Sequence, residues 1–306
     1  MNKHSSILIV GHKGVIADSL AAYFRKNGFT NLAVSHEMGI DTTIQASVYE
    51  YFTKYHPEFV ILSSVNSGGI QANQDFPADL IYQNLASETN IIYSAWKFGT
   101  KKLLYLASSC VYPKDCPQPM TEDMILTGAM EPTSEAYSTA KAAGIKLCQA
   151  YRQQHNFNAI CAIPATVYGP TSETDRNAHV IGALIGKFQE AMRNKEKTVT
   201  VWGTGNPRRE FIYADDLASA CVLLLEKYNE KEPVNIGVGE DIAIKDLALL
   251  IKQASGFKGE IVFDATKKDG AMQKLLDNRR LSKLGWKATV DLKKGINNIL
   301  AGGSNI

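Results

Sequence analysis

The sequence predicts a doubly wound α/β fold built on a parallel sheet, with a smaller mixed α/β lobe toward its C-terminal end. Three observations predict it. The β-branched run Ile7–Val10 stops at Gly11, and the segment after it carries Ile16, Leu20 and Phe24 at helical spacing. The same strand-then-helix unit recurs through the first 164 residues, and past about residue 170 the elements become shorter and more polar.

Taken in order, Ile7–Val10 reads as a strand, Val15–Asn27 as a helix, Leu32–Val34 as a short strand, Val48–Tyr55 as a helix and Phe59–Leu62 as a buried strand. A helix through Phe76–Phe98 follows, then the strand Lys102–Ala107, a helix around Tyr137–His155 and the strand Ala159–Pro164. Strands alternating with helices of ten or more residues imply βαβ units, because parallel neighbours need a long crossover. The first lobe is expected over residues 1–170 and the second over 171–306, with room for the chain to cross back between about 205 and 240. In the second lobe Thr171–Asn177 reads as a polar loop, Val180–Arg193 as a helix and Thr198–Trp202 as a strand leading into Gly203-Thr-Gly-Asn-Pro-Arg-Arg. Ala214–Tyr228 and Ile244–Ser255 read as further helices. With no repeat and no Pro/Ser-rich linker, the lobes are expected to pack on one another, with a ligand cleft between them.

Composition narrows the function. Hydrophobic residues make up 45% of the 306 and charged residues 21%, an ordinary folded composition. The 33 Lys and Arg stand against 31 Asp and Glu, a formal net charge of +2 with no basic block, so nucleic acid is not an expected partner. Cys110, Cys116, Cys148, Cys161 and Cys221 form an odd set without a C-x-x-C pair, which argues against a disulfide framework and a thiolate metal site. The apolar run near the start is too short for a signal sequence, and no run approaches the ~18 residues of a membrane span. A cytoplasmic protein with no metal and no membrane partner is expected.

Gly11-His-Lys-Gly14-Val-Ile-Ala17 lies where the first strand hands over to the first helix, so its glycines let backbone amides approach a pyrophosphate at the helix N-terminus. Ala17 stands where a third glycine would serve only close helix packing. At the end of the second strand Ser35 and His36 come before Glu37, so no carboxylate sits at the tip to hold a ribose 2′-hydroxyl. Lys13 lies where it can approach a 2′-phosphate; NADP is therefore expected, with NAD the open alternative.

Tyr137 and Lys141 form Y-x-x-x-K, which on a helix sets a phenol and an ammonium one turn apart on one face. A neighbouring cation lowers a phenol pKa and suits it to acid or base work. Tyr and Lys at this spacing occur on many solvated helices; here, however, the fourth strand ends in Ser108-Ser109-Cys110, at the sheet edge where ligands bind in such folds.

These features resemble the extended short-chain dehydrogenase/reductase family, and the likeness runs from Ile7 nearly to the C-terminus. It is carried by Gly11-His-Lys-Gly, Gly68-Gly-Ile-Gln-Ala-Asn, Pro77-Ala-Asp-Leu-Ile-Tyr-Gln-Asn, Ser108-Ser-Cys-Val-Tyr-Pro-Lys, Tyr137-Ser-Thr-Ala-Lys, His179-Val-Ile, Val201-Trp-Gly-Thr-Gly, Arg209-Glu-Phe and Phe263-Asp with Lys268-Asp-Gly. The resemblance implies a Rossmann cofactor lobe and an enzyme acting on a GDP-4-keto-6-deoxy sugar: epimerisation at C3 and C5, then NADPH-dependent reduction at C4. It implies Cys110 and His179 as proton carriers in the first stage. In the second it implies Tyr137 as proton donor and Ser108 as its hydrogen-bonding neighbour, with Lys141 holding the ribose and lowering the Tyr pKa. It assigns the cofactor to Gly11, His12, Lys13, Gly14, Val15, Ile16, Ser35, His36, Leu106, Ala107, Lys141, Pro164, Thr166 and His179, and the substrate to Lys187, Trp202, Arg209 and Asp269. It implies a homodimer through the helices carrying Tyr93–Phe98 and Tyr137–Tyr151. The chain departs from the family at Lys13, Ser35 and His36, where arginines are usual, at Thr166, where asparagine is usual, and at Ala136, where proline is usual. Two alternatives stay open: an epimerase or reductase of a related GDP-keto sugar, and a catalytically silent dinucleotide-binding protein.

Overall fold

Ile7–Val10, Phe59–Leu62, Lys102–Leu106 and Ala159–Pro164 are apolar almost throughout and buried along their whole lengths, as strands covered on both faces must be. The computed structural model describes residues 1–170, 179–267 and 269–302; the polar loop expected over 171–177, and Lys268 of the Lys268-Asp-Gly motif, lie outside them. The chain runs β1 (Ile7–Val10), α1 (Val15–Lys26), β2 (Leu32–Val34), α2 (Gln45–Tyr55), β3 (Phe59–Leu62), α3 (Ile70–Asp75), α4 (Pro77–Lys97), β4 (Lys102–Leu106), α5 (Glu135–His155), β5 (Ala159–Pro164) and β6 (Thr166–Tyr168). It continues through α6 (Val180–Arg193), β7 (Thr198–Trp202), β8 (Arg208–Arg209), β9 (Phe211–Tyr213), α7 (Ala214–Lys227), β10 (Val234–Ile236), β11 (Ile242–Ala243) and α8 (Ile244–Ser255). It closes with β12 (Glu260–Asp264), β13 (Gln273–Lys274), α9 (Arg279–Lys283) and α10 (Leu292–Gly302).

The main sheet has six strands in the order β10-β5-β4-β3-β1-β2, and every pairing in it is parallel. Right-handed crossovers then put α1 on one face and α2, α4 and α5 on the other. α1 packs on α7, and α4 packs on both α2 and α5. The chain therefore returns to the first lobe after β9: α7 joins the layer of α1, and β10 pairs with β5 at the sheet's edge. The buried Lys102 fastens this return, because its ammonium donates to the Leu224 and Leu225 carbonyls at the C-terminus of α7 at 2.9 and 2.8 Å. A second core gathers α6, α8 and α10 around Phe188, Phe211, Leu247 and Ile296. No helix among the described residues is long and apolar enough to cross a membrane.

The helix expected through Phe76–Phe98 is α4, and a short helix that the sequence reading did not expect, α3, precedes it; Phe76 leaves the helical region at φ −129°, ψ 45° and Pro77 takes the first position of α4, which keeps the two apart.

Glu210, between β8 and β9, joins the lobes. Its carboxylate is 2% exposed and accepts from the backbone N–H groups of Gly239 and Leu276, each at 2.8 Å. Gly237 leaves room for it, since a Cβ there would lie 2.5 Å from Glu210 Oε1. Burial pushes this carboxyl up to about 6 from an ordinary 4.5. A folded pKa above the unfolded one means that the stability tied to the protonated group is present below about pH 4.5 and lost as pH rises through 6. Glu210→Gln is expected to lose about 1–3 kcal/mol by turning an amide toward backbone donors. It is also expected to lack the component of the wild-type fall in Tm between about pH 4.5 and 7 that Glu210 contributes, as thermal unfolding across pH will show.

Candidate active site

A parallel sheet brings the carboxyl ends of all its strands to one edge, and here the residues following those ends line a single cleft. The lining comprises His12, Gly14, Val15 and Ile16 after β1, Ser63 and Ser64 after β3, Leu106, Ala107, Ser108 and Ser109 at the end of β4, and Pro164 and Thr166 beyond β5. Tyr137 enters from the first turn of α5, and His179 closes the cleft from the start of α6. The cleft lies beside the point where strand order reverses, between β1 and β3, the usual ligand position in open α/β sheets.

The glycine loop fits a dinucleotide. α1 is capped by Gly14, whose φ of 156° falls where other residues are strained, and the Asp18 carboxylate in its first turn accepts from Gly14 N at 3.1 Å. A Cβ on Gly11 would strike Ser63 Oγ and come within 3.1 Å of Ala17 Cβ, so Ala17 takes the close-packing place. At the far end of the loop, Ser35 Oγ accepts from Gly11 N at 3.1 Å, while His36 Nε2 is 3.0 Å from Asp18 Oδ1. Lys13 is exposed, and its ammonium makes no hydrogen bond or ion pair among the described residues. Glu37 is held by Arg25 at 2.6 Å.

At the other end of the cleft the Tyr137 phenol shares a 2.6 Å hydrogen bond with the Ser64 hydroxyl, and the Ser108 hydroxyl lies close enough to influence its titration. Burial raises the phenol's pKa above its ordinary value, the charge of nearby Cys110 raises it further, and the two serines lower it. Cys110 is buried on the single helical turn Ser109–Val111, its N–H directed at Ser108 Oγ. His179 is exposed at the cleft; desolvation first, then the nearby His12, pushes its pKa below the ordinary 6.5.

Lys141 lies beneath the cleft rather than on it. Its side chain has no exposed surface, it does not line the cleft, and its ammonium is bonded to Glu88 at 2.9 Å. The groups that lower the Tyr137 pKa are the two serines, against desolvation and the charges of Cys110 and Glu88.

The residues expected to bind substrate gather in the second lobe. Lys187 Nζ donates to the Thr200 carbonyl at 2.8 Å and lies 5.1 Å from the centre of the exposed Trp202 ring. Asp269 accepts from Thr204 N and Oγ1 at 3.0 and 2.7 Å, directly after the turn at Gly203 (φ 82°). Arg209 is drawn down by burial, with Asp269 and Glu131 acting against it. Lys274 sits opposite Arg209 in the β13–β8 register, close enough to Cys110 for their charges to interact.

Four polar residues at or beside the site were given no role by the sequence reading. The Ser63-Ser64 pair is legible as an unusually polar strand end, but its bond to Tyr137 spans 73 residues. Glu88 reads as one more polar residue of a long helix, and Lys274 as a surface lysine.

Residues 7–237 match the NAD dependent epimerase/dehydratase family. GDP-L-fucose synthase 1 of Arabidopsis thaliana is 46% identical over 296 residues, covering 96% of this chain and 92% of that protein. Among solved structures, a GDP-6-OMe-4-keto-L-xylo-heptose reductase from C. jejuni superposes with a TM-score of 0.93 at 31% identity, covering 99% of each chain. A GDP-mannoheptose C4 reductase from Campylobacter jejuni, with NADP bound, superposes at 0.89 with 31% identity over the whole of both chains.

Gly11→Ala is expected to weaken NADPH binding at least about tenfold, because the added methyl has rigid Ala17 on one side and must displace Ser63 on the other. Fluorescence titration of the nucleotide against wild type and variant measures the loss.

Proposed function

The chain belongs to the NAD dependent epimerase/dehydratase family, and on that premise we propose that it converts GDP-4-keto-6-deoxy-D-mannose to GDP-L-fucose, by 3,5-epimerisation and then NADPH-dependent reduction of the 4-keto group. The observation that carries the reading is the convergence of Tyr137, Ser108 and Cys110 at the end of β4, with His179 at the same cleft. An acid for a developing alkoxide and two proton carriers for the adjacent carbons thus meet in one place.

Protons alpha to a ketone are acidic enough for a thiolate and an imidazole to remove and return them. His179, its pKa pushed down by burial, is unprotonated at neutral pH and ready as a base. In the second stage Tyr137, whose raised pKa keeps its proton in place, donates to the oxygen at C4. Ser64 and Ser108 then stabilise the phenolate it leaves. NADPH, when bound, supplies the hydride; Gly11 to Ile16, Leu106, Ala107, Pro164 and Thr166 would hold it, and Lys13 would meet its 2′-phosphate. The engaged state of Glu37 favours NADP over NAD, since this carboxylate just past the end of β2 is already bonded to Arg25. Arg209 suits the diphosphate because a guanidinium binds phosphate oxygens with two parallel hydrogen bonds. Lys187, Trp202 and Asp269 complete the substrate contacts.

We also propose a cytoplasmic homodimer. Tyr93 and Trp96 of α4 and Tyr151 and His155 of α5 form a continuous half-exposed aromatic stripe, with Trp96 and His155 stacked at 4.1 Å, and a second copy would cover it. The five cysteines are unpaired, as a reducing compartment keeps them.

A second reading, a plain 4-reductase of another GDP-keto sugar, is favoured by the close superposition on the heptose reductase. Incubation with GDP-4-keto-6-deoxy-D-mannose and NADPH or NADH, with the product identified by NMR, separates the two. GDP-L-fucose supports the proposal; a reduced sugar with unchanged C3 and C5 supports the second reading. Consumption of neither nucleotide refutes the proposal.

Within the proposed reaction, Tyr137→Phe is expected to lower reduction about 10²- to 10⁴-fold while solvent deuterium still enters C3 and C5. Cys110→Ser should show the reverse, loss of deuterium incorporation at those carbons. Ser64→Ala should leave the exchange intact and slow reduction about tenfold, the effect of one hydrogen bond to a charged oxygen.

A further inference from the structure

β1 and β3 pair as far as Val10 and Leu62, and past that point their connections lead to opposite faces of the sheet and open the cleft. The two connections are stitched together at their start. Ser63 donates to the Val10 carbonyl from both its N and its Oγ, each at 2.8 Å. The Ser64 carbonyl in turn accepts from His12 N at 3.2 Å and from the His12 ring at Nδ1, 2.9 Å away. A carbonyl oxygen only accepts, so the ring nitrogen facing it, Nδ1, carries a proton. Glycine at position 14 leaves room for the ring, since a Cβ there would lie 3.2 Å from His12 Nε2 and 3.3 Å from Cδ2.

Ser64 is buried, and the residue whose carbonyl is held by His12 turns its hydroxyl to Tyr137 Oη at 2.6 Å. On its other side the chain is fixed by α4. Val65 N donates to Asn84 Oδ1 at 3.2 Å, and Asn84 Nδ2 donates to the Asn66 carbonyl at 2.8 Å. The His12 ring is therefore the side-chain tie on the side of the glycine loop.

We propose that His12 is a positioning residue of the reduction: by holding the Ser64 carbonyl, its imidazole keeps the nucleotide-binding glycine loop and the hydroxyl that steadies the Tyr137 phenol at one fixed spacing. Hydride and proton reach the two ends of one C=O bond, so their donors must stay in register, and a misplacement of about 1 Å can cost about 10²-fold in rate. The proposal rests on Tyr137 acting as the proton donor, as set out above.

His12→Leu removes the ring bond and leaves the backbone one. The kcat for reduction should fall about threefold to tenfold, the effect of one hydrogen bond, while the NADPH Kd from fluorescence titration stays within about threefold of the wild type. His12→Asn, whose amide N–H can take the place of Nδ1–H, should recover most of the rate. In a Ser64→Ala background His12→Leu should slow reduction by less than about twofold, because the two residues act through one contact. A weakened NADPH affinity with unchanged kcat makes His12 a nucleotide contact only and overturns the proposal, as does a full further loss of rate in the Ser64→Ala background. Nitrogen NMR of the wild type at mildly alkaline pH, with His12 assigned through its backbone, needs neither sugar nor nucleotide and decides if the variants do not fold. A neutral ring protonated at Nδ1 supports the inference, and one protonated at Nε2 overturns it. Failure of the wild type to turn over the GDP-sugar, with Nδ1 protonated, would sink the proposed function and leave the tie between His12 and Ser64 standing.

Discussion

The cleft depends on one constraint: six neighbouring strands run in the same direction. Parallel neighbours cannot be joined by hairpins, so each crossover carries a helix and each strand must finish at the same edge. That edge is where the buried apolar runs give out. Val10 gives way to Gly11, Leu62 to Ser63 and Ser64, and Leu106 to Ala107 and Ser108. The hydroxyls and glycines of the site are thus the first residues of each connection that no longer need to fill the core. Moving any strand by one residue in register would carry them out of reach of one another and turn buried side chains to the wrong face.

Burial acts differently on the titratable groups assembled there. A phenol and an imidazole meet at one cleft, and desolvation favours the neutral form of each. It keeps the proton on Tyr137 and off His179, so donor and acceptor are poised in opposite senses by the same effect. Hydrogen bonds then tune what burial imposes, with Ser64 and Ser108 easing the ionisation of the phenol. Lys141 shows the limit of reading contacts from spacing: one turn from Tyr137, its ammonium is met by Glu88 at 2.9 Å.

The second lobe holds its polar contacts by short strands and side-chain ties rather than by a large sheet. β8 is two residues long and pairs with β11 and β13, and Glu210 beside it fixes the backbone at Gly239 and Leu276. This brace sets Arg209 and Lys274 side by side at the edge facing Cys110. The turn at Gly203 brings Asp269 onto Thr204, next to Trp202.

Local sequence determined the strands and helices of the first lobe, because hydrophobic periodicity and the glycine turn at Gly11–Gly14 are properties of neighbouring residues. It also marked Ser108, Cys110, Tyr137 and His179, whose residue types carry recognisable chemistry in short motifs. The start of α4 was legible at Pro77, whereas the six-residue α3 before it is too short to show a helical period. Tertiary structure alone decided the rest. Ser64 meets Tyr137 across 73 residues, Tyr105 and Lys141 meet on Glu88, and the chain returns after β9 to set β10 beside β5. No local pattern encodes such meetings, because a hydroxyl or carboxylate acquires its partner only when packing of the whole core brings distant segments within hydrogen-bonding distance.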